Sequence, residues 1–417
     1  MRRHSRVSLC LFLVLGTALA AAAQDVALTN ATVIDGTGAA PQSGVTVVMR
    51  DGRIANLGPQ VRPPVGATVV DVRGKFVTPG IINAHGHVGE NRNPQLRQYA
   101  LYGVTTTTSM SRDPDDIVGF KSAQKRGDLR GARILTVKQR FSTLPAEIMT
   151  TLTPEAARAR VDEIAPAADF IKVWIDAQGG AVPKLTEPFV AAVFEQARKH
   201  GKTTMAHIVT AADARAMVGL GVNILVHNVR DREIETDFLD TLKQKNVSVV
   251  STLAREESMF VYGDKPTWLS DPFFTKGLRG DQPAKLAGKT AEQAALPNLP
   301  ALRRALDLDK INLKKLVDAG VRVALGTDSG GDPNRFFIQG WAEHRQMELM
   351  VDAGLTPMQV IQAFSKGSSE ALRIDKEFGT LAKGKAADLL VLGRNPLDDI
   401  RNMRSIEAVY LGGRRFQ

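Results

Sequence analysis

Two histidines separated by one glycine, His85-Gly86-His87, close an apolar run that begins at Val77. On an extended strand, residues i and i+2 project to the same face. Both imidazoles therefore converge at the strand's end as a natural half of a metal site, with Gly86 leaving room for close approach. Two of the chain's other histidines extend the pattern. His207 ends Thr204-Met205-Ala206-His207, and His227 ends Ile224-Leu225-Val226-His227. A lone histidine at a strand end is ordinarily a satisfied core residue, whereas four at matching ends point to a shared site. Asp328 follows Ala324-Leu325-Gly326-Thr327. Its carboxylate suits metal binding and proton acceptance from water, although aspartate also caps turns. Lys172 stands in the otherwise apolar run Phe170-Ile171-Lys172-Val173-Trp174. A buried ammonium is costly unless paired or chemically altered, so Lys172 either snorkels from the strand end or is modified.

The only cysteine is Cys10, so any metal must be held by nitrogen and oxygen. His200 precedes Gly201 at a helix end, where a cation is favoured for structural reasons. His344, on the helical segment beyond Asp328, reads as a supporting or surface residue rather than a ligand.

The elements that must position these residues follow from periodicity. The candidate strands are 80–84, 103–109, 133–138, 170–175, 203–208, 223–227, 248–253 and 321–327. Helical patterns alternate with most of them, at 187–200, 211–219, 237–245 and 301–319. Eight strands alternating with helices predict an α/β fold, a (β/α)₈ TIM-type barrel spanning 79–378. Residues 254–300 are too long for an ordinary connection. With Phe260, Tyr262, Trp268, Phe273 and Phe274 they read as a lid. Residues 24–78 and 379–417 read as short strands and turns, with Asp51-Gly52 a strong hairpin signal. They predict one small, discontinuous β-sandwich domain into which the barrel is inserted.

The first 23 residues are basic at Arg2, Arg3 and Arg6, then apolar, then small at Ala21-Ala22-Ala23. This layout predicts a signal peptide cleaved after Ala23, with no stable membrane anchor afterwards and a secreted or periplasmic product. A mature chain without cysteine carries no disulfide, which a periplasm tolerates when the core is large. The formal charge of +10 loses three units with the leader, and the remaining basic residues are scattered without aromatic interleaving. That argues against nucleic acid as a partner.

The stretch Pro79-Gly80-Ile81-Ile82-Asn83-Ala84-His85-Gly86-His87, with His207, His227 and Gly326-Thr327-Asp328, resembles the amidohydrolase superfamily. The resemblance is to its imidazolonepropionase-like and prolidase-like branch. It runs from about Asp25 to Phe416 and includes the closing Gly379-Thr380-Leu381-Ala382-Lys383-Gly384-Lys385-Ala386-Ala387-Asp388-Leu389. The resemblance implies a binuclear centre. His85, His87 and Asp328 would bind one divalent ion and His207 and His227 the other, with Lys172 bridging as a carbamate derived from CO₂. Zinc is the default for such nitrogen and oxygen donors, and manganese, iron and cobalt are compatible with them. Two ions would activate a water and polarise a carbonyl, with Asp328 as the catalytic proton carrier.

The implied function is cleavage of amide bonds in small molecules such as dipeptides or N-acyl amino acids. Arg140, Arg230, Arg255 and Tyr262, which follow strand ends or lie in the lid, are the candidates for substrate binding. The alternatives are a mononuclear cyclic-amide hydrolase or deaminase, a lactonase or esterase, and a non-catalytic binding barrel. The oligomeric state is open.

Overall fold

The strands take the positions that hydrophobic periodicity marks for them. The computed structural model describes residues 24–143, 152–331, 336 and 338–417. The leader ending at Ala23 lies outside them. The amino-terminal segment forms β1 (Val26–Val33), β2 (Gln42–Arg50), β3 (Arg53–Gly58), β4 (Thr68–Asp71) and β5 (Phe76–Pro79). The central segment forms β6 (Ile81–Asn83), β7 (Gly86–His87), β8 (Val104–Ser109), β9 (Arg133–Thr136), β10 (Phe170–Trp174), β11 (Thr203–His207), β12 (Ile224–Val226), β13 (Ser248–Ser251), β14 (Val323–Leu325) and β15 (Ser329–Gly330). The carboxyl-terminal segment forms β16 (Leu389–Leu392), β17 (Ile406–Leu411) and β18 (Arg414–Arg415).

The two terminal segments meet in one mixed sheet of order β18-β17-β16-β5-β1-β2-β3, with β4 on β1. The β2–β3 hairpin closes Arg50 against Arg53. Asp51 and Gly52 there adopt φ of 48° and 79°, the paired left-handed conformation that a tight hairpin requires. Strands β5 and β16, more than 300 residues apart in sequence, pair antiparallel with Val77 opposite Val391. Hydrogen bonding thus links strands of both terminal segments in one sheet. Alternation along β16 explains why that sheet is buried on both faces. Leu389 and Val391 enter a local core with Leu28, Val47 and Tyr410. Leu390 and Leu392 enter the main core instead.

The eight strands of the central α/β region are all present and run parallel in two arcs, β6-β8-β9 and β10-β11-β12-β13-β14. Individual hydrogen bonds, rather than a continuous ladder, link the arcs. The Ala84 N–H donates to the Leu325 carbonyl at 2.8 Å and the Asp169 N–H to the Thr136 carbonyl at 2.7 Å. Residues of one parity, including Ile82, Met205, Ile224, Val250 and Ala324, fill a central cluster. Their neighbours of the other parity face the helices, which is the pattern of parallel strands buried on both sides. The helix Glu187–Lys199 presents Phe189, Val190, Val193 and Phe194 to that outer layer. No helix among the described residues is long and apolar enough to cross a membrane.

Residues 254–300 are helical for much of their length, including Leu253–Ser258, Pro272–Thr275 and Gln282–Ala294. Their aromatic side chains pack on one another and on the helix Trp341–Asp352. Tyr262, Phe274 and Trp341 form one buried cluster with Tyr102 and Phe336, and Trp268 and Phe273 lie against it.

Candidate metal centre

The His-x-His segment is extended, but its ladder is interrupted. Strand β6 stops at Asn83, and β7 begins at Gly86 by pairing with β15, Gly86 opposite Ser329 and His87 opposite Gly330. The N–H groups of Thr327 and Asp328 both donate to the His85 carbonyl, at 3.0 and 2.7 Å. These bonds lay the end of the last central strand beside the end of the first, which brings Asp328 onto the two histidines. The structure also revises the reason for Gly86. A side chain there would meet Thr107 at 2.6 Å and Asn83 and Tyr99 at 3.0 Å, so tight packing of neighbouring strands excludes any Cβ.

Four imidazoles and one carboxylate converge. Asp328 Oδ1 lies 2.6 Å from His87 Nε2 and 3.2 Å from His85 Nε2. The His85 ring stands 4.9 Å, centroid to centroid, from His227, and His227 stands 4.4 Å from His207. Lys172, fully buried on β10, places Nζ 3.5 Å from His85 Nδ1. His85, His227 and Asp328 each offer a donor atom within 4.8 Å of the other two. His227 and Asp328 hold φ of 73° and 60°. Left-handed backbone is costly for residues other than glycine and concentrates where function over-determines the chain.

The electrostatics suit a cation. Burial drives the pKa of His85 well below its ordinary value, and the Lys172 ammonium lowers it further. His227 falls well below for the same first reason, helped by its neighbours His207 and His85, and burial takes His207 to about 3. All three are therefore neutral at physiological pH, the form with a lone pair to give. The Nε2 atoms of His207 and His227 are buried without a hydrogen-bond partner. Asp176 Oδ2 stands 3.9 Å from His207 Nε2, beyond hydrogen-bond reach. Orphaned imidazole nitrogens beside a carboxylate are the donor set of a divalent metal, so the residues present fit one.

Outer partners orient the rings, and sequence reasoning missed them. Ser111 Oγ lies 3.0 Å from His87 Nδ1, and Thr252 Oγ1 lies 2.6 Å from His227 Nδ1. Each holds the far nitrogen of its ring and leaves Nε2 facing the centre. Asn83 was visible as part of the motif; its Oδ1 accepts the His85 N–H at 2.9 Å. Glu343, the fully buried neighbour of His344, carried no sequence signal.

The other expected residues separate. Arg255 reaches the centre, with Nε 3.9 Å from Asp328 Oδ2 while Nη1 binds both oxygens of Glu256 at 2.9 Å. Arg230 is buried behind it, with Nε 3.3 Å from Glu256 and Nη1 donating to the Ile208 carbonyl at 3.2 Å. Arg140 follows β9, partly buried, and its N–H donates to the Ser111 carbonyl. Tyr262, the remaining candidate for substrate binding, lies in the aromatic cluster. Its hydroxyl donates to the Phe336 carbonyl at 2.6 Å, because a buried phenol must satisfy its O–H. His200 caps its helix and pairs with Asp162 at 2.6 Å. His344 is buried and Nε2 donates to the Tyr102 carbonyl at 2.8 Å, so it is a supporting residue and not a ligand.

The chain is similar to known proteins over most of its length. Imidazolonepropionase of Mycolicibacterium smegmatis is 25% identical over 386 residues, 83% of each chain. Among solved structures, a putative prolidase from Bifidobacterium longum superposes with a TM-score of 0.76 at 23% identity, covering 94% of this chain and 95% of its own. A Xaa-Pro dipeptidase with bound methionine in its active site gives 0.74 at 20% identity, covering 94% and 99%. The model of the amidohydrolase family matches residues 76–416, a span holding every residue of the centre. The chain belongs to the amidohydrolase family and is a hydrolase acting on carbon–nitrogen bonds.

Proposed function

We propose that this chain is an exported, binuclear amidohydrolase that cleaves amide bonds in small substrates such as dipeptides or N-acyl amino acids. The observation that carries the proposal is the buried convergence of His85, His87, His207, His227 and Asp328, with two orphaned Nε2 atoms. His85, His87 and Asp328 would hold one divalent ion and His207 and His227 the other, with Lys172 bridging as a carbamate. A carbamate would replace a buried ammonium beside His85 by an anion, removing an unfavourable charge next to a ligand. When bound, such ions supply an activated water and a polarised carbonyl, and zinc is the default.

The chain's own part is proton movement and orientation. Asp328 takes a proton from the attacking water as the C–O bond forms and returns it to the nitrogen as the C–N bond breaks. Arg255 places its guanidinium 3.9 Å from the second oxygen of Asp328, where its charge favours the ionised carboxylate. Closure of the two arcs into a (β/α)₈ barrel over 79–378 belongs to the same proposal. So do folding of the terminal segments (24–78 and 379–417) into a sandwich domain, a lid role for 254–300, and export directed by residues 1–23.

One observation favours a mononuclear reading: only His85, His227 and Asp328 group tightly enough to hold a single ion among the described residues. Elemental analysis of active protein, with turnover measured on a panel of amides, esters and lactones, separates the two. The binuclear reading expects about two ions per chain and a preference for amides. One ion or fewer in fully active protein would refute it.

A further inference from the structure

Glu343 lies on the helix Trp341–Asp352, fully buried, and the chemistry above makes no use of it. Its Oε1 accepts three hydrogen bonds, from Asn83 Nδ2 at 2.5 Å and from the hydroxyls of Thr327 and Ser329 at 2.8 Å each. Its Oε2 accepts the Gly340 N–H at 2.6 Å. We propose that Glu343 is a positioning residue for the metal centre, one carboxylate that holds the His85-Gly86-His87 segment and the Asp328 turn in register. The inference rests on the reading of this site as a metal-dependent hydrolase.

The connectivity carries the argument. Thr327 and Ser329 flank Asp328, so Glu343 grips the turn on both sides of it. Asn83 binds Glu343 with its amide nitrogen and receives the His85 N–H with its amide oxygen. Ser329 Oγ donates its one hydrogen to Glu343 and accepts from the Tyr99 hydroxyl at 3.0 Å, while the β7–β15 pairing sets Gly86 opposite Ser329 and His87 opposite Gly330. One or two links therefore join Glu343 to each of three proposed ligands that lie on strand ends more than 240 residues apart in sequence. Burial pushes the Glu343 carboxyl above its ordinary range, the bonds from Ser329, Thr327 and the backbone N–H groups oppose that shift, and the ionised carboxylate is the form that accepts all four bonds. A role confined to capping the helix would need Oε2 alone and would leave Oε1 free of the strand ends.

Glu343→Gln keeps the volume and turns one acceptor into a donor. If the amide nitrogen faces Gly340, donor meets donor; if it faces the strand ends, Asn83, Thr327 and Ser329 lose their acceptor. Outer partners of metal ligands typically matter by about 10- to 100-fold in affinity or activity. The test titrates zinc ions into metal-free protein against a chromogenic chelator, and measures kcat, KM and melting on the same preparations. Glu343→Gln should bind zinc about 10- to 100-fold more weakly and lose kcat by a similar factor, with KM within about threefold. Leu349→Ala, a core truncation on the same helix, is the stability control. It should lower the melting temperature and leave zinc affinity and kcat at wild-type values.

A Glu343→Gln protein that melts early yet binds zinc and turns over like wild type would overturn the proposal. Should that variant fail to fold, Ser329→Ala removes one Oε1 donor and the Tyr99 link while sparing the Gly340 cap. It should weaken zinc binding by roughly 3- to 10-fold, and wild-type affinity would equally overturn the proposal. A wild-type chain that binds no zinc would instead refute the underlying metal reading.

Discussion

Asp328→Asn separates chemistry from architecture because the backbone at this position selects the substitution. With φ at 60°, most side chains would be strained, and asparagine tolerates the left-handed region best among non-glycine residues of this size. The two N–H bonds to the His85 carbonyl are backbone bonds and survive. What disappears is the charge and one basic oxygen. Arg255 loses its contact at 3.9 Å but stays bound to both oxygens of Glu256 at 2.9 Å, so no guanidinium is left unpaired. The cost in stability should therefore be about 1–2 kcal/mol, well below the roughly 3–5 kcal/mol of a stranded buried charge. The cost in rate should be far larger. Moving the proton between water and leaving nitrogen is worth roughly 10²- to 10⁴-fold, or about 3–5 kcal/mol in the barrier. Metal content, melting temperature and kcat, measured on one preparation, read the two costs separately. The expected result is folded, largely metallated protein with kcat lowered about 10³-fold. Retention of more than about a tenth of wild-type kcat would show that Asp328 carries no proton and merely shapes the turn.

Lys172→Ala removes the proposed bridge from β10. Metal content and activity should both fall and recover in part when bicarbonate or a short carboxylic acid is added, whereas wild-type activity without any additive would exclude Lys172 as a ligand. His344 offers a test away from the ligands: burial first, against the Tyr102 carbonyl bond, lowers its pKa from 6.5 to about 3. Between those values the unfolded chain binds the proton and the folded one does not, so this residue's contribution to stability is intact above pH 6.5 and is lost as pH falls toward 3. His344→Gln should flatten the fall of unfolding free energy between about pH 6 and pH 4 by up to about 1.4 kcal/mol per pH unit, measured by urea titration. An unchanged slope would mean that His344 is not held neutral in the fold.

Much of the architecture was legible because it is local. Apolar runs of strand length, each ending in a polar residue, place His207 on β11 and His227 just beyond β12, and Asp51-Gly52 closes the predicted hairpin. Histidine at i and i+2 brings two rings within 5.4 Å of each other even though the ladder breaks between β6 and β7. The identity of the chemical groups was likewise determined by the residues themselves, since a chain whose one cysteine lies at position 10 offers imidazole and carboxylate. Tertiary structure decided what depends on contacts between distant segments. The β7–β15 pairing sets Asp328 against His87. Glu343 joins residues from opposite ends of the central region, and no periodicity announces a single buried glutamate on a mixed helix face. Tyr262, an aromatic in a long insertion, packs in the buried cluster with Tyr102, Phe274 and Trp341. Arg230 and Arg255 look alike in sequence. Only Arg255 comes within 4 Å of Asp328, because Arg230 is held beneath it by Glu256 and the Ile208 carbonyl. Local patterns determine which face a side chain takes, whereas its partner is settled by how strands far apart in sequence are laid side by side.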